Sequence, residues 1–207
     1  MNAYEPLDTA LHAINRYNLN AFGRLRLAPT DELHIIREVR TVYTGSITQV
    51  RKRLRKACED EFWMYLLLCG WDEDKALRVA SGEIPLSWID ERIEEIDPTV
   101  RYRFADESER KQLRLMESLT IPAGRDAEID RALRSWTRQI GWFGIYAMDA
   151  AAMQAMKKAD VQRVMWNAEQ DGRQCDECDD RNGKVFDIDK VPPKPHNGCR
   201  CWLTPVI

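Results

Sequence analysis

Two short spacings near the end of the chain restrict its folding more than any other feature. Cys175-x-x-Cys178 and His196-x-x-Cys199 repeat one offset, and Cys201 follows two residues later. A Cys-x-x-Cys pair carries two thiols round a tight turn toward one point, and His-x-x-Cys at the same offset supplies a second half. The surrounding residues include few large apolar side chains. A segment of this kind does not close a core alone and normally needs a metal or disulfides. Sulfur-rich sets of four ligands suit zinc in a closed, structural site. "MNAYEPLDTALHAINRYN" lacks a basic start followed by an apolar run, so reducing cytoplasm is the expected compartment, where clustered cysteines bind metal more often than they pair. The expected ligands are Cys175, Cys178, His196 and Cys199. Cys201 is the alternative to Cys199, because strand alternation puts both on one face. Cys58 and Cys69 lie in apolar helical surroundings and are expected in the core.

Ahead of this segment the period is helical. Leu33, Ile36, Val39, Tyr43, Ile47, Val50, Leu54, Cys58 and Phe62 recur at steps of three and four, which places them on one side of a long helix. "PTDE" supplies its start, with Thr30 or Asp31 as cap. A second long helix is expected from about Asp126 to Lys158. Its seam of Ile129, Leu133, Trp136, Ile140, Phe143, Ala147 and Ala150 alternates steps of four and three, a spacing suited to helix pairing. Shorter helices are expected in "DEDKALRVASG", "PLSWIDERIEEI" and "SERKQLRLMESL". The tryptophans mostly occupy apolar helical positions and are expected in the core.

The texture changes after Ala159. Asn182-Gly183 is a hairpin-turn signal, "KVFDI" alternates like a strand, "VPPKP" cannot be helical, and "CRCWLTPV" reads as a closing strand. In that strand Cys199, Cys201 and Leu203 share one face, with Arg200 and Trp202 on the other. The expected fold is mainly α: an elongated helical body of long paired helices over residues 1–158, then a small β-rich, zinc-stabilised module over 159–207. The body buries its own apolar stripes, so it is not expected to depend on the metal.

Charge excludes several function classes. The formal net charge is −3, which gives no global attraction to nucleic acid or anionic membrane. The apolar stretch "FWMYLLLCGW" is too short to span a bilayer. The basic run Arg51–Lys56 sweeps the side of its helix away from Val50, Leu54 and Cys58, as a solvated face does. Acids outnumber bases after Ala159, which argues against a zinc-based DNA reader. A metal-dependent nuclease needs an open coordination position or a free general base. The segment's single histidine is already committed as a ligand, although Asp171, Asp176, Glu177, Asp179 and Asp180 could bind a hard cation. That reading stands as the alternative.

"WNAEQDGRQCDECDDRNGKVFDIDKVPPKPHNGCRCWLTPV" resembles the C-terminal signature of the phage Mu F-like head-morphogenesis proteins, minor head proteins of tailed phages. The matching positions are Trp166, Asp171, Arg173, Cys175, Cys178, Gly183, Lys184, His196, Cys199, Arg200 and Cys201. Family members often carry proline directly after the histidine, where this chain has Asn197. The resemblance covers about the last forty residues and implies a non-enzymatic virion protein needed for head assembly. It implies residence in the phage head near the portal, after assembly in the host cytoplasm. The portal protein is the first expected partner, with the major capsid protein and packaged DNA as further ones. Several copies per particle and no membrane contact complete the expectation. Asp171 and Arg173 are either exposed charges or a pair that orients the metal loop.

Overall fold

The computed structural model describes residues 4–23, 32–82, 125–169 and 174–207. The expected cap at Thr30 or Asp31, the helices of "PLSWIDERIEEI" and "SERKQLRLMESL", and the pair Asp171 and Arg173 lie outside these residues. So do the side chains of Leu33, Ile36, Val39, Tyr43, Ile47, Ile129, Leu133 and Trp136, although the backbone of their helices is described.

Three long helices carry the fold: α1 (Glu5–Gly23), α2 (Glu32–Leu68) and α4 (Arg125–Lys158). All three pack on one another. Helix α1 opens with Pro6 and with Glu5 and Asp8 in its first turn, residues that suit the N-terminal end of the helix dipole. Tyr4, Leu7, Ala10 and Ile14 form a buried stripe at steps of three and four. Val50, Leu54, Ala57, Cys58, Phe62 and Tyr65 answer from α2, and Ile140, Phe143, Ala147, Met148 and Ala151 from α4. The described part of the expected α4 seam is therefore core, except that Ala150 is only half-buried. Gly144 lets α1 approach closely: a Cβ there would lie 2.3 Å from Leu7 Cδ1 and 3.1 Å from Leu54 Cδ2.

Helix ends follow local chemistry. At the end of α2, Trp71 N–H donates to Leu66 O and Gly70 N–H to Leu67 O, with Gly70 at φ +84°. That is a Schellman closure, which needs a left-handed residue at the turn. Asp72 then starts α3 (Glu73–Gly82), its carboxylate accepting from Lys75 N–H at 2.8 Å. Helix α4 ends by the same closure, with Val161 N–H on Met156 O and Asp160 N–H on Lys157 O. Here the left-handed residue is Asp160, at φ 56°.

A three-stranded antiparallel sheet follows, in the order β2-β1-β3, from β1 (Arg163–Asn167), β2 (Val185–Asp187) and β3 (Trp202–Pro205). Strand β1 was missed by sequence reading, although its "RVMW" alternates; the signal is short and sits directly after a long helix. The short helix α5 (Asp176–Arg181), between the two cysteines' turn and β2, was also missed. Asn182-Gly183 therefore ends a helix rather than joining two neighbouring strands: Asn182 is the C-cap, and Gly183 at φ +74° donates to Trp166 O. Residues 191–195 are non-helical, and the closing strand is shorter than expected, beginning at Trp202.

The sheet shares the helical core. Val164 and Ile188 are buried with the helices, and Trp202, Leu203 and Val191 pack against them. The outer edge of β3 is occupied by helix side chains. Register leaves the Cys201 and Leu203 carbonyls facing away from β1. Tyr4 Oη donates to Cys201 O at 2.7 Å and Tyr65 Oη to Leu203 O at 2.6 Å. Pro205 has no N–H to leave exposed on that edge, so the strand offers little to a further strand.

Candidate metal centre

Helix α5 places the first pair of candidate ligands. Cys175 is its N-cap and Cys178 lies in its first turn, so one helical turn separates the two thiols. The second group comes from the turn His196–Cys199, closed by Cys199 N–H on His196 O at 3.3 Å, and from Cys201 just before β3. Cys178, Cys199 and Cys201 are buried, Cys175 is half-buried and His196 exposed. All five expected ligands converge in space.

They form two triples that share Cys178. Cys175, Cys178 and His196 lie with their ligand atoms mutually within 4.8 Å, and so do Cys178, Cys199 and Cys201. Cys178 Sγ is 3.5 Å from Cys199 Sγ and 3.7 Å from His196 Nε2. Zinc–sulfur bonds of about 2.3 Å imply tetrahedral sulfur–sulfur edges of about 3.8 Å, and sulfur–nitrogen edges slightly shorter. Both distances are close to tetrahedral edges. The donor set therefore fits a zinc ion, with Cys178 as the common member.

Electrostatics agree with that fit. Burial, followed by a hydrogen bond with Cys175, holds the Cys178 thiol well above its ordinary range. The hydrogen bond with Cys201, then burial, raises Cys199; the same contact lowers Cys201. Crowded thiols of this kind do not ionise together without a cation. The Trp166 indole Nε1 is buried in the same cluster; it makes no hydrogen bond of ordinary geometry, but it lies beside the Cys201 thiol and lowers it. A ligating thiolate would be a suitable acceptor for such a donor.

One face of α4 receives the ligand loop. Trp142, Tyr146 and Asp149 recur at steps of four and three, beside the core stripe and not on it. The Trp142 ring covers Gly198, where a Cβ would lie 2.6 Å from Nε1. Tyr146 Oη donates to Asn197 Oδ1 at 3.1 Å. Asn197 thus supplies a side-chain contact to the helix. Asp149 Oδ2 pairs with Lys194 Nζ at 2.9 Å. Sequence reading missed these docking residues. The available signal was two aromatics and an acid at helical spacing, and Trp142, expected in the core, is among the exposed large apolar residues.

Residues 142–204 match the family described as Phage Mu protein F like protein. Over this segment the chain is similar to the Mu F-like phage head proteins. The match extends upstream of the forty-residue signature, and the added stretch includes the half of α4 that holds the candidate ligand loop. No curated protein and no solved structure matches the chain.

The remaining candidates fall elsewhere. Asp176, Glu177, Asp179 and Asp180 are exposed on α5, with Glu177 ion-paired to Arg181. His12 is exposed on α1. Arg51, Lys52, Arg53 and Lys56 are exposed and Lys56 pairs with Asp60, as a solvated face predicts. Cys58 is buried in the core, whereas Cys69 is half-buried against it. Among the described residues no helix is long and apolar enough to cross a membrane.

Proposed function

We propose that this protein is a minor head protein of a tailed phage, associated with the portal and inner capsid, and stabilised by one structural zinc ion. The observation that carries this reading is the convergence of five dispersed Cys/His residues within the family-matched segment. Cys175, Cys178 and His196 would hold the ion, with Cys199 or Cys201 as fourth ligand. The ion's chemistry here is a crosslink: ligation ties α5 to the turn before β3, which no extended apolar core does. Trp166 and Phe186 cap one side, ring to ring at 6.4 Å.

The role is one of assembly, without catalysis. The proposed ligands close the coordination sphere, and the acids of α5 point to solvent rather than to the cluster. The major capsid protein and packaged DNA are the further partners, and several copies act per particle. Co-expression with the cognate portal protein tests the assembly role. Co-elution with the portal on size exclusion, together with presence in purified virions, is the expected outcome; separate elution and absence from virions overturn it. Plasmid DNA incubated with the protein and magnesium or manganese should stay intact. Cutting that survives purification would favour the nuclease reading.

A further inference from the structure

Lys194 is placed as few lysines are. Its side chain is only 10% exposed, and its ammonium has four oxygen neighbours from three parts of the chain. It donates to Cys199 O at 2.9 Å, to Cys201 O at 2.6 Å and to Tyr4 Oη at 2.6 Å. Asp149 Oδ2, on α4, completes the set at 2.9 Å. Tyr4 begins the first turn of α1, whose opening backbone bond runs from Asp8 N–H to Tyr4 O. Its own hydroxyl lies within bonding distance of Cys201 O and of Asp149 Oδ1, at 2.7 and 3.0 Å.

Two of the ammonium's acceptors are backbone carbonyls of candidate metal ligands. They hold their places only while the 199–201 backbone keeps its path. If that path is lost, a nearly buried cation loses two of its four oxygen neighbours and the Tyr4 hydroxyl loses the Cys201 carbonyl, and under-satisfied polar groups at that depth are costly.

We propose that Lys194 and Tyr4 couple ligation at the Cys/His cluster to the seating of the first turn of α1. Lys194 is a positioning residue in this arrangement: it reads the carbonyls of Cys199 and Cys201 and passes their order to Tyr4 and Asp149. This rests on the zinc reading above, and it narrows the expectation that the helical body is independent of the metal. The core of α1, at Ile14 and Ala10, stays packed; its opening turn follows the cluster. Coupling is reciprocal, so whatever zinc contributes to the seating of Tyr4, Tyr4 contributes to zinc affinity.

The test uses the full chain with zinc alone as ligand. Elemental analysis first fixes the metal content, and hydrogen exchange is then followed by mass spectrometry before and after a strong chelator. Exchange in the opening turn of α1 should accelerate roughly tenfold or more, while the turns around Ile14 change by less than about threefold. Tyr4→Phe should weaken zinc binding by roughly fivefold to tenfold in a competition titration. Lys194→Met should weaken it further. Because that change strands the Asp149 carboxylate, the double variant Lys194→Met with Asp149→Asn removes both charges and should still show weakened binding. One zinc per chain, with unchanged exchange in the opening turn on chelation and wild-type zinc affinity in Tyr4→Phe, overturns the coupling but keeps the zinc site. Absence of zinc from protein purified without chelator overturns both.

Discussion

Gly198 is the residue on which the ligand loop turns. Its φ of +76° lies in the left-handed region, and the Trp142 indole occupies the space a Cβ would need. Either condition alone disfavours a side chain, and the obstructing atoms belong to a rigid ring. Gly198→Ala should therefore destabilise the loop by about 1–3 kcal/mol, read as earlier protease cleavage between Lys194 and Cys201. Cleavage at the wild-type rate would mean that Trp142 does not hold the turn. Cys178 has comparable leverage by different means, because it is the only residue common to both triples. Cys178→Ser should abolish zinc retention. Among Cys199 and Cys201 one replacement should be severe and the other milder, which identifies the fourth ligand.

At the scale of elements, α4 works on two faces. One carries the stripe Ile140, Phe143, Ala147 and Ala151 into the helical core; the other carries Trp142, Tyr146 and Asp149 to the ligand loop. Its end must be fixed for both faces to register with β1, and a Schellman closure through Asp160 fixes it. An aspartate at φ 56° tolerates this conformation less well than glycine. Asp160→Gly should raise stability by about 0.5–1 kcal/mol, the relief of the left-handed cost outweighing the added freedom of the unfolded chain. A denaturant midpoint unchanged or lowered would show that Asp160 makes a compensating contact.

For the whole molecule, the notable cost is a carboxylic acid inside the core. Glu61 on α2 is 2% exposed, and burial, then the nearby Asp149 carboxylate, pushes its carboxyl up to about 9; Lys194 acts in the opposite direction. Tyr4, Cys58 and Tyr65 are further titratable groups coupled to it, and Asp149 is itself raised, chiefly by burial. The folded-state value lies above the ordinary 4.5, so the folded protein holds a proton that the unfolded chain releases. The stability this group allows is full below about pH 4.5 and is lost as pH rises toward 9, with a slope of at most about 1.4 kcal/mol per pH unit. Glu61→Gln removes that slope. Between pH 5 and pH 8 the variant should gain on the wild type by more than about 1 kcal/mol in urea titrations. Parallel pH profiles would place the Glu61 carboxyl in contact with water.

The periodic and the chemical parts of this protein are local properties and could be read along the chain. Steps of three and four located α2 and α4 because an amphipathic helix must repeat its apolar residues at the helical period, and α3 was read from the residues that bound it. The five candidate ligands were legible because thiol and imidazole are few and their spacing is short. The Mu F-like signature was legible for the same reason, through residues whose type cannot easily be exchanged. What the sequence left open depends on contacts between distant segments. Strand β1 is five residues long, and its pairing with β2 and β3 is nowhere written locally. The role of Asn182-Gly183 turned on whether a helix preceded it. Lys194 reads as one charge in a proline-rich stretch, and Tyr4 as one aromatic in a helix start; only the fold brings them within 2.6 Å across nearly the whole chain. Local propensity fixes which elements form, whereas the partners of a buried polar group are fixed by which elements pack around it.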